Sequence, residues 1–250
     1  MNGLSAVMYR EAKIRATNVT FIFWDVFYPL GYLLVFGVGV SSALSFAAPA
    51  DVHDYNAFFL GGVLAMASFG IASNTAWSFF MDRDNGIFDE MLTYPLGRAV
   101  FLVGKVLFNV VIAAAQAAVT VTLAAVLLGV QVRWDLAPIL AGAVLVGTTG
   151  WFFFYAVFAL WIRRNDAFNT VTSIFYFVFL FVSSMFYPLD PLPEPLRTLG
   201  HANPVTWHTD VLRYATVGLG EPTTIALEAL GFVAFTALSL AAALAVLRRE

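Results

Sequence analysis

Met81–Arg98, MDRDNGIFDEMLTYPLGR, gathers Asp82, Arg83, Asp84, Asp89, Glu90 and Arg98 into one short stretch with a long apolar run on either side. The rest of the chain repeats this pattern, with charges confined to brief connections between apolar segments. Hydrophobic residues make up 60% of the 250, charged residues only 12%, and mean hydropathy is +0.82. A soluble domain of this size carries about twice that share of charge. A helix needs roughly 20 apolar residues to cross a bilayer. Such windows begin near Val19, Tyr55, Val100, Ala137, Ala167 and Thr223, so the reading predicts an all-α integral membrane protein with six spans. The charged stretch between the second and third spans is then a short amphipathic element at the membrane surface.

Orientation follows from Lys and Arg, whose asymmetry sets topology. With both termini inside, Arg10, Lys13, Arg15, Arg83, Arg98, Lys105, Arg163, Arg164, Arg248 and Arg249 are cytoplasmic, 10 of the 13 basic residues. Arg133, Arg197 and Arg213 remain outside. The first outside loop, Ser41–Asn56, carries Asp51 and Asp54 and no basic residue. Basic residues, an apolar run and Ala48-Pro49-Ala50 imitate a secretory signal, but the run from Val19 to about Ala48 far exceeds the roughly 7–15 residues of such a core. It is read as an uncleaved first span. Upstream, Leu4, Val7, Met8 and Ile14 recur at near-helical spacing while Arg10, Glu11, Lys13 and Arg15 take other faces. That pattern fits an interfacial helix over residues 1–18 or a simple basic anchor.

Pro29 and Gly31 in the first span, and Gly61-Gly62 in the second, are acceptable where neighbouring helices cover freed backbone or approach closely. Asp25, about one turn inside the first span, is a functional candidate by its depth, and a structural one because a helix N-terminus favours an acid. Gln116 stands alone in an Ala- and Val-rich third span that reads as packing surface. After the fifth span comes Phe186-Tyr187-Pro188-Leu189-Asp190-Pro191-Leu192-Pro193-Glu194-Pro195, whose prolines block a continuous helix. Residues 196–220 are semi-apolar, too long for a turn and too polar to span. Short re-entrant or interfacial helices over 187–220 are expected, or else an external flap.

These segments resemble the ABC-2 type permeases, the membrane subunits of ATP-driven exporters. Three features carry the resemblance. Asp84-Asn85-Gly86-Ile87-Phe88-Asp89-Glu90-Met91-Leu92-Thr93-Tyr94-Pro95-Leu96, then Gly104-Lys105, is similar to the family's loop after the second span. Phe186-Tyr187-Pro188-Leu189 to Leu192-Pro193, then Ala202-Asn203-Pro204-Val205-Thr206-Trp207 to Asp210-Val211-Leu212-Arg213, is similar to its proline-rich stretch, Asn-Pro turn and Asp-x-x-Arg helix. The six-span layout completes it, over essentially the whole of residues 1–250 as one domain.

The resemblance implies a half-transporter. Two permease subunits, here expected as a homodimer among membrane lipids, would form the pathway, and two separate ATPase subunits would dock beneath. ATP and magnesium would belong to those partners, and this chain would bind no cofactor itself. Residues 82–96 would hold the coupling helix. Ile87, Phe88, Met91 and Leu92 form one helical stripe that a partner would bury, with Asp84, Asp89 and Glu90 meeting basic residues at the rim. Arg163 and Arg164, beside Asp166, would be a second contact, or topology determinants. In the resembled family the first, second and fifth spans border the dimer interface. Asp25, Phe69, Trp77, Phe175, Phe179 and Phe186 are therefore the candidate pathway residues, with packing or lipid contact as the competing role. Pro188, Pro193, Asn203, Pro204, Asp210 and Arg213 mark the re-entrant segment. The implied activity is outward movement of an amphipathic or lipid-linked molecule, a drug, lipo-oligosaccharide or glycan, across a prokaryotic inner or plasma membrane.

Other chemistries find little footing. No nucleotide-binding loop is present: between Gly97 and Lys105 the glycines are too far apart and no Ser or Thr follows the Lys. Asp82-Arg83-Asp84-Asn85-Gly86 starts like a calcium loop, but its Gly is one position early and Thr93 stands where Glu is required. Asp82-x-Asp84 is a weak metal pair. His53, His201 and His208 lack zinc-site spacing, and His208 and Asp210 accompany no serine elbow. With no Cys there are no disulfides or thiolate sites. The net charge of −3 suggests no nucleic-acid partner. An ATP-independent channel, scramblase or signalling subunit is the alternative function.

Overall fold

The computed structural model describes residues 3–47, 52–94 and 97–247, which are mainly helical with no strand among them. Ala48, Pro49, Ala50, Asp51, Pro95, Leu96, Arg248 and Arg249 lie outside the described residues.

Helix α1 (Gly3–Thr17) leads into α2 (Val19–Ile22), a π turn (Phe23–Phe27) and α3 (Tyr28–Ala47). The π turn has a local cause. Pro29 has no N–H for the Asp25 carbonyl, and its ring would clash there in a regular helix, so the widened turn relieves the conflict. Helix α4 (Val52–Asp84) has 33 residues, a length of about 50 Å at 1.5 Å per residue. It outreaches the bilayer core of about 30 Å, a length that leaves room for its charged last turn, Asp82–Asp84, beyond the hydrocarbon. The remaining helices are α5 (Ile87–Leu92), α6 (Arg98–Leu127), α7 (Ala137–Trp161), α8 (Asn165–Phe181), α9 (Glu194–Ala202), α10 (Pro204–Val217) and α11 (Pro222–Leu247).

Five helical stretches among the described residues are long and apolar enough to cross a membrane: Val19–Val40, Tyr55–Asp84, Arg98–Leu127, Trp134–Trp161 and Pro222–Leu247. The span expected from Ala167 is the difference. Helix α8 has 17 residues, about 25 Å of rise, and ends at Phe181 because the following Ser183-Ser184 and proline-rich stretch leave the helical path.

The centre is α4, which packs against α3, α6, α7 and α10, while α11 covers α7 and α10. Phe69 of α4 sits edge-on to Trp151 of α7 at 4.6 Å, and Trp151 reaches Phe235 of α11 at 5.0 Å. Such ring pairs add to area burial through their quadrupoles. The Gly61-Gly62 pair is where backbone meets backbone. A Cβ on Gly62 would lie 2.2 Å from the Met185 carbonyl oxygen, and one on Gly61 would lie 2.8 Å from the Arg213 Cα. Only glycine lets α4 approach both the 183–185 segment and α10.

Helix α10 is short and polar, yet buried. Asn203 caps its N-terminus by accepting from Val205 N at 2.9 Å, and its side-chain amide donates to Phe179 O at 2.9 Å. Pro204 occupies the first turn, where its missing N–H costs nothing. Arg213 donates to Phe58 O at 2.9 Å and Ser184 O at 2.8 Å, pairs with Asp210, and lies over the Phe58 ring at 3.7 Å. Thus Asn203 ties the start of α10 to α8, and Arg213, paired with Asp210, ties its later turns to α4 and the 183–185 segment. Pro188 and Pro193 stand exposed before α9, with Pro193 at its N-cap.

Candidate functional site

At the far end of α4 the chain turns through Gly86, whose φ of 72° suits glycine, and starts α5. Phe88 is buried, its ring 5.5 Å from Phe79 of α4 and 5.3 Å from Phe101 of α6. Met91 and Leu92 are half-buried against the same core, and Ile87 is half-buried. Asp84, Asp89 and Glu90 are exposed. The expected stripe therefore divides: Phe88 is taken up inside the chain as the anchor of α5, and the acidic side chains face outward.

Directly before α5 lies a cluster of charges that fixes the end of α4. Lys105 of α6 is fully buried; its Nζ donates to Glu11 Oε1 of α1 at 2.8 Å and pairs with Asp82 Oδ2 of α4 at 2.8 Å. Ser78 Oγ accepts from it at 3.3 Å. Arg10 closes the set, 3.0 Å from Glu11 and 3.1 Å from Asp82. Two cations and two carboxylates balance, which is the condition for keeping such charges out of water. One turn along α1, Arg15 pairs with Asp25 and donates to Thr75 Oγ1 at 2.5 Å. Thr75 in turn donates to Asn109 Oδ1 at 2.6 Å, and Asn74 donates to Asp25 at 2.8 Å. Burial pulls the Arg15 guanidinium down to about 10, against the opposing field of Glu11, so it stays charged at neutral pH.

Arg83 does different work. Its guanidinium donates to Ala159 O at 2.6 Å, to Leu160 O and to Ile162 O at 3.0 Å. A cation on the last carbonyls of α7 satisfies orphan acceptors and opposes the helix dipole. Phe80 stacks on Phe168 of α8 at 4.7 Å. The α7–α8 connection, with exposed Arg163 and Arg164, is thereby held against the end of α4, and Arg164 is paired to Asp166 at 2.6 Å.

The burial of α1 corrects the sequence reading. Its inner face is Val7, Glu11 and Arg15, spaced four apart, so the charged residues do not all take outer faces. Gly104 of α6 admits this contact, since a Cβ there would lie 2.7 Å from Val7. The signal was available: Lys105, about two turns into an apolar span, needs a counter-charge.

The candidate pathway residues scatter. Phe69 is core, and Asp25 is buried in its ion pair with Arg15. Phe175 and Phe179 pack against Phe154 of α7 at 5.5 and 5.6 Å. Trp77 is half-buried, 6.3 Å from Phe21. Phe186 lies past the end of α8, near Tyr32 and Phe36 at 6.2 and 5.9 Å, rather than on a common face with Phe175 and Phe179. The open space is elsewhere. A groove of about 430 Å³ runs between the first span, α4 and α8, with Trp24, Tyr28 and Tyr176 as aromatic wall and Ser73, Asn74 and Ser173 as polar wall. No charged side chain lines it. The candidates come from the spans that border the dimer interface in the resembled family, a choice that passes over these smaller residues.

Among the described residues no group of three or more His, Asp or Glu is placed to hold a metal ion. Residues 2–217, α1 to the last residue of α10, match the ABC-2 type transporter family. The chain belongs to that family. It is 24% identical over 220 residues to "Putative transport permease ycf38" of Pyropia yezoensis, covering 83% of this chain and 74% of that protein. A protein of the same name from Cyanophora paradoxa is 24% identical over 194 residues, 74% of this chain and 64% of that one. This ABC-2 chain is thus a multi-pass membrane component of a transport system, and the charge cluster lies wholly within the matched residues.

Proposed function

We propose that the chain is the permease of an ATP-driven exporter. Two copies enclose the route, and two separate ATPase subunits, which bind ATP and magnesium, dock on α5 from the cytoplasm. Both termini are cytoplasmic in a prokaryotic inner or plasma membrane. Helix α8 serves as a sixth crossing, its shortness met by local thinning of the bilayer, and α9 and α10 enter from the outer side as re-entrant helices. The observation that carries this reading is the build of α5. Its back is fixed by Phe88 to α4 and α6, and its exposed face is acidic. Immediately before it, Asp82 ties to α1 and α6 and Arg83 to α7. A force on α5 reaches three other helices through charged contacts, as a rigid body. ATP binding then shifts the permease by differential affinity for its two states.

The groove between the first span, α4 and α8 is the natural route for cargo. Its rings suit an apolar or ring-bearing part, and its hydroxyls and amide suit an uncharged polar part, as in an amphipathic or lipid-linked molecule.

Flux of a hydrophobic fluorescent drug and of a labelled lipid-linked glycan into sealed vesicles tests both parts. With Asp89→Lys/Glu90→Lys, ATP-driven flux of any cargo the native chain moves is expected to be lost while the permease remains folded. With Gly70→Phe, which projects into the groove from a position where an added Cβ meets nothing within 4 Å, flux is expected to fall while ATPase assembly is retained. Full ATP-driven flux in the double reversal would remove the docking site, and ATP-independent movement would favour a channel or scramblase.

A further inference from the structure

We propose that a recess between α7, α10 and α11 is a built site for one acyl chain of a bilayer lipid. The recess holds about 260 Å³ and is flanked by two helices long enough to span, so the medium in front of it is hydrocarbon. It lies in the first turns of α7, whereas Arg83 meets the last ones; the leaflet concerned is the one remote from α5.

Three observations fix the occupant's chemistry. The opening is made by small residues, Gly142, Ala143 and Ala229, set between the larger Val146 and Phe232. The floor is His208, and both its nitrogens are spent: Nδ1 accepts from Trp151 Nε1 at 3.2 Å and Nε2 donates to Ala143 O at 3.2 Å. No polar group of the lining is left facing the recess. A water molecule needs two or more polar partners, so an apolar recess of this kind stays dry. A headgroup would lose its hydration for nothing.

The floor also cannot collapse inward. The imidazole is seated on Gly147, where a Cβ would lie 2.0 Å from Nε2, and stacks on Phe232 at 4.9 Å. An empty recess would forfeit dispersion contacts on every wall. A methylene chain recovers them, and within a bilayer it is always at hand. Ile139 to Val146 is about 10 Å of helix at 1.5 Å per residue, so the site takes part of a chain and leaves its headgroup at the surface.

The chain touches His208 and Val211 of α10 as well as both spans, and so acts as a filler that seats α10 against α7 and α11. This does not depend on the cargo or its direction.

The test is photolabelling in nanodiscs of phosphatidylethanolamine and phosphatidylglycerol, with a trace of phospholipid carrying a diazirine at mid-chain, and adducts mapped by mass spectrometry. Adducts are expected to concentrate at Gly142, Ala143, Val146, Ala229 and Val233. Gly142→Phe, placed where a Cβ meets nothing within 4 Å, is expected to abolish them while leaving background adducts on Leu227, Leu230 and Leu238, which are 66–72% exposed on the outer face of α11. Ala229→Phe, filling from the opposite wall, gives the same result if the first variant fails to fold. Adducts spread evenly along α7 and α11, adducts unchanged by both fillings, or links joining α11 of two copies would each overturn the proposal.

Discussion

Lys105→Met is expected to destabilise the detergent-solubilised protein by about 3–5 kcal/mol, the cost of leaving a buried charge without its partner. Glu11 and Asp82 both lean on this one ammonium, and each is less than a tenth exposed. Without it the cluster carries one net negative charge in a site shielded from water. Adding Glu11→Gln restores balance, because Arg10 still serves Asp82 at 3.1 Å. The double variant is therefore expected to recover much of the loss, a coupling that a thermodynamic cycle measures directly. Thermal unfolding followed by tryptophan fluorescence reads both. If Lys105→Met melts like the native chain, or the double variant is as unstable as the sum of its parts, the cluster is not a charge-balanced unit.

The second large effect is steric. Gly62→Ala is expected to cost about 3 kcal/mol or more, the upper range for overpacking, because the added methyl group meets the Met185 carbonyl at 2.2 Å, a backbone atom with no rotamer to give way. Gly70→Ala, two turns along the same helix, is the internal control. Nothing lies within 4 Å of its Cβ, so replacing a helical glycine should stabilise by up to about 1 kcal/mol. Opposite signs for one substitution in one helix separate a contact effect from helix propensity. Equal effects would mean that α4 and the 183–185 segment do not meet as closely as described.

Legibility in the sequence followed the range of the interaction. Hydropathy and length located Val19–Val40, Tyr55–Asp84, Arg98–Leu127, Trp134–Trp161 and Pro222–Leu247 to within a few residues. Proline chemistry placed the interruption after α8, the family resemblance supplied the Asn203-Pro204 turn that opens α10, and the Gly61-Gly62 pair admitted a close approach. The first two depend on neighbours along the chain, whereas the glycine pair was legible only as a place where a neighbour could come close, and its partners Met185 and Arg213 come from far along the sequence. Phe88 was legible as apolar on a stripe, but whether its own chain or a partner covers that stripe is decided by Phe79 and Phe101, and Phe101 arrives from another helix. The Glu11–Asp82–Lys105 contact joins three helices across 94 residues, and no periodicity within any one of them encodes it. The groove was missed for a related reason. Its walls are Ser73, Asn74 and Ser173 as much as rings, and small polar residues in a span give no hydropathy peak.

Phe88 anchors α5 to the bundle, Asp82 and Arg83 fix the end of α4 just before it, and its exposed face is acidic, the arrangement from which the docking role is proposed. The measurement that tests this role most directly is affinity purification of the solubilised chain from its own membrane, native and Asp89→Lys/Glu90→Lys side by side, scored for a co-purifying ATPase by mass and by ATP hydrolysis. The account predicts that an ATPase comes down with the native chain and is lost on charge reversal, with unchanged permease yield and melting. An ATPase retained at full stoichiometry by the reversed chain, or a native chain that purifies alone and still moves solutes or lipids in vesicles, would contradict it.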